Sequence, residues 1–251
     1  MPMDAKAVEA LATDPAAKVM VFVDGQNLYK ACKKLFGHPF CHPHLLAEHL
    51  AGPRTRNRVA CRYYTGKPDP YRERINARNV DRRLGLISRY GSTVQTRILN
   101  YHWDWGRKAP LPEPGPGVAA QTVTLEPWER PHEKGIDVLL ALDVIEFVLT
   151  GMCDVAIIVS LDKDLREIPT ALRNLSNLIT KPYRIEAAVP VALDAGPQKN
   201  LKGFNSTHQI TPSVFELIRD DTRYNASPTK WAAPTFPTTI DEARNAKSNS
   251  N

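Results

Sequence analysis

Two aspartates stand two residues apart in "AIIVSLDKDLREIP" (residues 156–169), where Asp162 and Asp164 follow the apolar run Ala156-Ile157-Ile158-Val159. One acid suffices to end a strand buried on both faces, so a second points to chemistry. Two more acids hold comparable places. Asp24 closes the apolar run of "KVMVFVDGQNLY" (18–29), and Asp137 falls in the first turn of the helix that starts after "EKG". If Asp24, Asp137, Asp162 and Asp164 converge, each pair about 5 Å apart costs about 3 kcal/mol at an effective dielectric near 20. Protons or a cation must relieve that repulsion. A hard, oxygen-liganded ion such as Mg²⁺ or Mn²⁺ suits carboxylates and water. Such an ion lowers the pKa of a bound water and holds a phosphate oxygen, which together give phosphodiester hydrolysis. No serine–histidine or cysteine–histidine arrangement offers a rival nucleophile. Each acid alone has a plainer use, as a helix N-cap for Asp164 or a complement to the helix dipole for Asp137. The set carries the argument, together with Asn27 of "DGQN", placed to hold the Asp24 carboxylate. Asp143 lies six residues beyond Asp137 and so points about 120° away from it.

These acids need strands and helices to bring them together. The run at 18–24 reads as a first strand, followed by helical patterns to about Phe36 and from His44 to Ala51. "NRVACRYYTG" (57–66) is a second strand and residues 70–91 a long helix. "STVQTRILNYHW" (92–103) is a third strand, with period-two alternation. "APLPEPGPG" (109–117) is an exposed loop, and residues 118–126 return as an antiparallel edge strand. Residues 134–151 form a helix apolar nearly all round and therefore well buried. A strand at 154–160, a helix to about Leu178 and a strand at 183–191 complete the pattern. Strands alternating with helices predict an α/β fold with a mostly parallel sheet, whose ligands sit at the carboxyl ends of the strands. Residues 1–17 are an N-terminal extension, 18–221 a single domain, and 222–251 a disordered or loosely draped tail rich in Pro, Thr, Asn and Ser.

The chain of 251 residues carries a net charge of +6, unevenly placed. Residues 54–108 hold fourteen Lys and Arg against four Asp and Glu, and the rest is net acidic. That patch suits a polyanion. On the helix 70–91, Arg74, Arg78, Arg82 and Arg89 fall on one stripe, opposite Val80, Leu84 and Ile87. Such a stripe would track a phosphate backbone. In "YHWDWGRK" (101–108), Trp103 and Trp105 stand beside Arg107 and Lys108, aromatics and cations interleaved as stacking on unpaired bases requires. Lys199 and Lys202 are expected as further phosphate contacts, and Lys163 either helps to hold a phosphate or weakens a bound metal. The run "GHPFCHPH" (37–44) matches no standard zinc spacing and reads as a turn before a helix. No apolar stretch approaches bilayer length and no apolar signal core is present, so neither a membrane nor secretion is expected. Four scattered cysteines fit reduced thiols in the cytoplasm.

"VFVDGQNLY", "KGIDVLLALDVI" and "DVAIIVSLDKDLREIP", in this order and spacing, resemble the NYN domain family. These are PIN-like, metal-dependent ribonucleases that include the bacterial LabA-like proteins. The likeness spans roughly residues 18–215, and residues 191–217 resemble the family's closing segment. It implies a three-layer α/β/α fold with sheet order 3-2-1-4-5, which seats Asp24 beside Asp162. It also implies that Asp24, Asp137, Asp162 and Asp164 are the metal-site and catalytic acids, with Asn27 and Ser160 supporting and Asp143 an acid of less defined role. One departure is clear: Leu161, Lys163 and Leu165 replace the family's glycine, serine and phenylalanine. The expected activity is an endoribonuclease using Mg²⁺ or Mn²⁺ on single-stranded or structured RNA. The alternative is an RNA-binding or regulatory module whose chemistry has decayed around Lys163. A Mg²⁺-dependent phosphatase or phospho-acceptor domain is a third class, disfavoured because Gly25-Gln26 follows Asp24 where a dehalogenase-like enzyme needs a second acid. Oligomeric state, a homodimer included, is not fixed by the sequence.

Overall fold

Short apolar runs with β-branched residues alternate with amphipathic helices, and the chain winds them into a parallel sheet with helices on both faces. The computed structural model describes residues 4–54, 59–106, 126–193, 196, 200–227 and 233–248. In chain order the elements are α1 (Ala5–Ala10), β1 (Val19–Asp24), α2 (Gly25–Phe36), α3 (Pro43–Ala51), β2 (Val59–Lys67), α4 (Arg74–Arg89) and β3 (Ser92–Ile98). There follow β4 (Asn100–Gly106), β5 (Glu126–His132), α5 (Ile136–Leu149) and β6 (Val155–Val159). A 3-10 turn (Asp164–Glu167) leads into α6 (Ile168–Asn174), β7 (Arg184–Pro190), β8 (Ser206–Ile210), α7 (Pro212–Ile218) and α8 (Ile240–Ser248).

The central sheet has six strands in the order β3-β2-β1-β6-β7-β8. Every neighbouring pair in it is parallel. The five-strand order expected from the resemblance is therefore incomplete, because a sixth strand, β8, is added beside β7. "STHQI" escaped notice because only Ile210 of β8 is buried, which leaves little apolar signal. β3 also ends sooner than its alternation suggests. The chain turns at Leu99, and β4 pairs antiparallel with β5 in a separate two-stranded sheet. The antiparallel return expected at 118–126 thus falls on 126–132, and residues 118–125 lie outside the described residues.

Alternation along β1 splits the core in two. Val19, Val21 and Val23 face one side with Leu28, Leu46, Phe215 and Ile240. Phe22 faces the other with Tyr64, Ile136, Leu140 and Leu172. Burial at roughly 25 cal/mol per Å² of apolar surface makes these two layers the main source of stability. α5 is less enclosed than its composition suggests. Ile136, Leu140, Val144 and Val148 are buried, whereas Val138 and Leu142 are 62% and 60% exposed. The sheet covers one face of that helix only. Residues 233–248 lie against the body of the fold. The Phe236 ring centroid sits 3.8 Å from that of His42, and the Ile240 N–H donates to Glu48 Oε2 at 2.6 Å. The histidine-rich stretch is a turn ending at Pro43 of α3, with His38 and His44 bonded to the main-chain oxygens of Asp220 and Thr238. The four cysteines are free and buried.

Candidate functional site

The order of the sheet decides where ligands belong. From β1 the chain moves outward through β2 and β3, then returns to β6 on the other side of β1 and moves outward again. β1 and β6 flank the point where the winding reverses, and crevices outside the carboxyl ends of such strands bind ligands. Asp24 is the last residue of β1, next to that point.

Asp24 is 6% exposed, and its carboxylate is held by two donors. As N-cap of α2 it accepts the Asn27 N–H at 3.0 Å on Oδ1, and the Ser160 hydroxyl donates to Oδ2 at 2.9 Å. Asn27 therefore supports Asp24 through its main chain rather than its side chain. The Asn27 amide oxygen instead accepts the Leu161 N–H at 2.8 Å, pinning the loop after β6. Ser160 Oγ also accepts the Asp162 N–H at 3.0 Å, and Asp162 Oδ1 accepts the Asp164 N–H at 2.9 Å. These links run continuously from β1 through the β6 loop to the 3-10 turn. Gly25, the first residue of α2, leaves room on the other side for the Tyr63 ring of β2, which a Cβ there would strike.

Burial pushes the Asp24 carboxyl above the usual range for aspartate. The Asn27 and Ser160 bonds oppose the shift, while the charges of Asp137 and Asp162 add to it. Glu133, an acid with no place in the sequence-based set, belongs here too. It is pushed up to about 7 by burial, with Asp24 and Asp137 adding to the rise while the Gly66 N–H bond and Lys30 restrain it. A Cβ at Gly66 would push aside the ends of the Leu99 side chain and the Glu133 carboxylate, so glycine lets Glu133 sit this close to the β2 backbone. Glu133 directly follows β5, and the hairpin with β4 carries it to the end of β2. Asp137 and Asp162 thus lie near enough for their charges to act on Asp24, and Asp24 and Asp137 near enough to act on Glu133. The positive N-terminal ends of α2 and α5 meet at Asp24 and Asp137 and offset part of the repulsion. Among the described residues, no three Asp, Glu, His or Cys side chains are gathered closely enough to hold a metal ion between them.

Two expected members stand apart. Asp164 is exposed in the first turn of the 3-10 helix and joins the network through its main-chain N–H. Asp143 is committed elsewhere: its Oδ2 lies 2.8 Å from Arg62 Nη2 and accepts the Tyr64 hydroxyl at 2.6 Å. Both of those partners sit on β2, so Asp143 ties α5 to the sheet.

The basic surface divides in the same way. Arg74, Arg78 and Arg89 are exposed along α4, as the helical stripe predicts. Arg82 is not free, because its guanidinium donates to the main-chain oxygens of Tyr224 and Ala226 at 3.0 and 2.7 Å. The segment after α7 recruits it to hold itself down. Trp103 on β4 is 69% exposed, Lys202 is exposed, and Lys163 is exposed at the start of the 3-10 turn. Arg107, Lys108, Lys199 and the Trp105 side chain lie outside the described residues.

The family model for the NYN domain matches residues 18–182, well over half of the chain. The chain belongs to the NYN domain family. Membership gives it a nuclease-like, RNA-related character, and the matched span contains Asp24, Glu133, Asp137 and Asp162. No curated protein matches it. Among solved structures it is similar to a protein of unknown function, VPA0982, from Vibrio parahaemolyticus RIMD 2210633. That likeness has 18% identity, a TM-score of 0.45, and covers 78% of this NYN chain and 94% of the other. No helix of the described residues is long and apolar enough to cross a membrane.

Proposed function

We propose that this NYN protein is an endoribonuclease that hydrolyses RNA phosphodiester bonds with the help of Mg²⁺ or Mn²⁺. The carrying observation is the group of acids at the winding reversal, in which Asp24 and Glu133 are both driven toward protonation by burial, with neighbouring acids adding to the rise. Mg²⁺ is commonly held by one or two carboxylates, several waters and substrate phosphate, so the donors fit such an ion without a closed cage. Asp24 and Asp162 are its main ligands in this reading, with Asp137, Glu133 and the more distant Asp164 orienting water around it. Ser160 and the Asn27 main chain fix the Asp24 carboxylate, and the Asn27 side chain fixes the loop that carries Asp162. When bound, the ion supplies charge neutralisation at the phosphate and an acidified water. Arg74, Arg78 and Arg89 position the RNA backbone, and Trp103 offers a face to an unpaired base. Four unbridged, buried cysteines suit work in the reducing cytoplasm.

A second reading keeps RNA binding and drops hydrolysis. It is favoured by Leu161 and Lys163, both exposed in the loop that carries Asp162. Cleavage of labelled RNA with Mg²⁺ or Mn²⁺, comparing wild type with Asp24→Asn and Asp162→Asn, tests the proposal. The nuclease reading expects loss of cut product in both variants. Equal cutting by all three overturns it, and binding without cutting in the wild type selects the second reading.

A further inference from the structure

A cavity of about 380 Å³ adjoins the acidic group, walled by the start of α2, the end of β2 and one face of α4. This volume lies at the small end of the range for small-molecule sites, about 300–1,000 Å³. The wall includes Gly25, which follows Asp24, and Gly66, whose N–H is bonded to Glu133. Its apolar part is aromatic and aliphatic: Tyr29, Phe40, Val80, Leu84 and Tyr224. Phe40 meets Tyr29 at 5.6 Å and Tyr224 edge-on at 5.7 Å between ring centroids.

Two polar atoms in this wall are buried without a hydrogen-bond partner: Asn79 Oδ1, an acceptor, and Arg83 Nε, a donor. The two residues are four apart on α4 and so lie on one face, with Cβ atoms about 5–6 Å apart. Elsewhere on the same guanidinium, Nη1 donates to the Tyr63 hydroxyl at 3.0 Å and the central carbon lies 4.7 Å from the Phe40 ring centroid. Buried groups of this kind are almost always satisfied, and each one left open costs about 1–3 kcal/mol. Water can satisfy such a pair in the free protein, and an occupant that replaces it must donate to Asn79 and accept from Arg83 across an otherwise apolar body. A phosphate matches less well, because with this amide orientation its unprotonated oxygens would face the Asn79 acceptor. A nucleobase presents donor and acceptor side by side on one flat edge, with two faces for apolar contact.

We infer that this cavity is a nucleobase-recognition pocket, taking one unstacked base of the RNA strand whose phosphate lies at the neighbouring acids. The inference deepens the nuclease reading, and its test separates the two. The four ribonucleoside 5′-monophosphates, ribose 5-phosphate and a set of trinucleotides are titrated calorimetrically in EDTA, where cleavage cannot occur. The proteins are wild type, Asn79→Leu, Val80→Trp and Asp24→Asn, each checked for native circular dichroism. At least one monophosphate should bind about tenfold or more tighter than ribose 5-phosphate. A trinucleotide carrying that base should bind tighter still. Asn79→Leu should erase the base preference, Val80→Trp should block the pocket, and Asp24→Asn should keep it while cleavage is lost. Equal binding of ribose 5-phosphate and all four nucleotides overturns the pocket and leaves the nuclease reading standing. A preference unchanged in both Asn79→Leu and Val80→Trp does the same. Trinucleotides binding no better than the monophosphate make this a free-nucleotide site and overturn its assignment to the RNA strand.

Discussion

Asp24 and Glu186 are both buried carboxylates on the same parallel sheet, yet their surroundings drive them in opposite directions. Burial raises the pKa of each. Glu186, on the level of Val21 and Ile157 toward the amino edge, is fully answered. Arg54 reaches it with two donors at 3.2 and 3.1 Å, Arg184 Nε donates at 2.5 Å and His208 Nε2 lies 2.7 Å away. The bonds to His208, Arg54 and Arg184 outweigh burial and hold its carboxyl down at about 2. Asp24, at the carboxyl edge, has one N–H, one hydroxyl and two acidic neighbours that press its pKa further up. A buried charge that serves the fold is completed within the fold. A buried charge left short of partners is not explained by the fold, and unfavourable local electrostatics of this kind concentrate at functional sites.

The sharpest way to break that contrast is paired neutralisation. Asp24→Asn should cut RNA cleavage by more than about 100-fold, since even residues behind metal ligands are worth 10–100-fold. It should leave the melting temperature unchanged or higher, because it removes an unpaired charge. Glu186→Gln should do the reverse: cleavage per folded molecule stays the same, while stability falls by about 3–5 kcal/mol as Arg54 and Arg184 lose their carboxylate. Chemical denaturation and rate measurements on both variants decide this. Loss of stability in Asp24→Asn, or none in Glu186→Gln, would erase the distinction.

The pH dependence sharpens it further. The folded pKa of Glu186 lies below the ordinary glutamate value, so its stabilisation is complete above about pH 4.5 and drains away as pH falls toward 2. Denaturation midpoints between pH 5 and 2.5 should fall more steeply in wild type than in Glu186→Gln. Glu133→Gln should cost less than Asp24→Asn, about tenfold in the Mg²⁺ concentration needed for half-maximal cleavage. Smallest are the arginines. Arg74→Ala or Arg78→Ala should lower the salt slope of RNA binding by about 1 each. Arg82→Ala should leave that slope alone and cost about 1 kcal/mol of stability through its lost bonds to Tyr224 and Ala226.

Asp24 and Asp162 were legible in the sequence because an acid that ends an apolar strand is a local pattern, and parallel strands bring such ends to one edge. Glu133 was not, because nothing in "ERPHEKGID" marks it. Its place depends on a hairpin whose first strand reads as a continuation of β3 and breaks only at Leu99. The arginine stripe shows the limit of helical periodicity. Spacing puts Arg82 on the right face, but the carbonyls that capture it come from residues 142 and 144 positions later in the chain. The role of Asp143, an acid of less defined role in the sequence, was hidden for a related reason, since the partners that hold it, Arg62 and Tyr64 on β2, are invisible from its own helix. Long-range pairing, rather than propensity, is what the sequence withheld.

Manganese affinity reads out the incomplete acidic group most directly. Titrating Mn²⁺ into the protein by electron paramagnetic resonance, without RNA, should show saturable binding that Asp24→Asn and Glu133→Gln each weaken by about tenfold or more, while Glu186→Gln leaves it unchanged. At a hundredfold excess over Kd, the ion should also raise wild-type stability by about 2.7 kcal/mol. Equal affinity in wild type and Asp24→Asn would contradict the account, since the acids at the carboxyl edge would then be held for something other than a divalent ion.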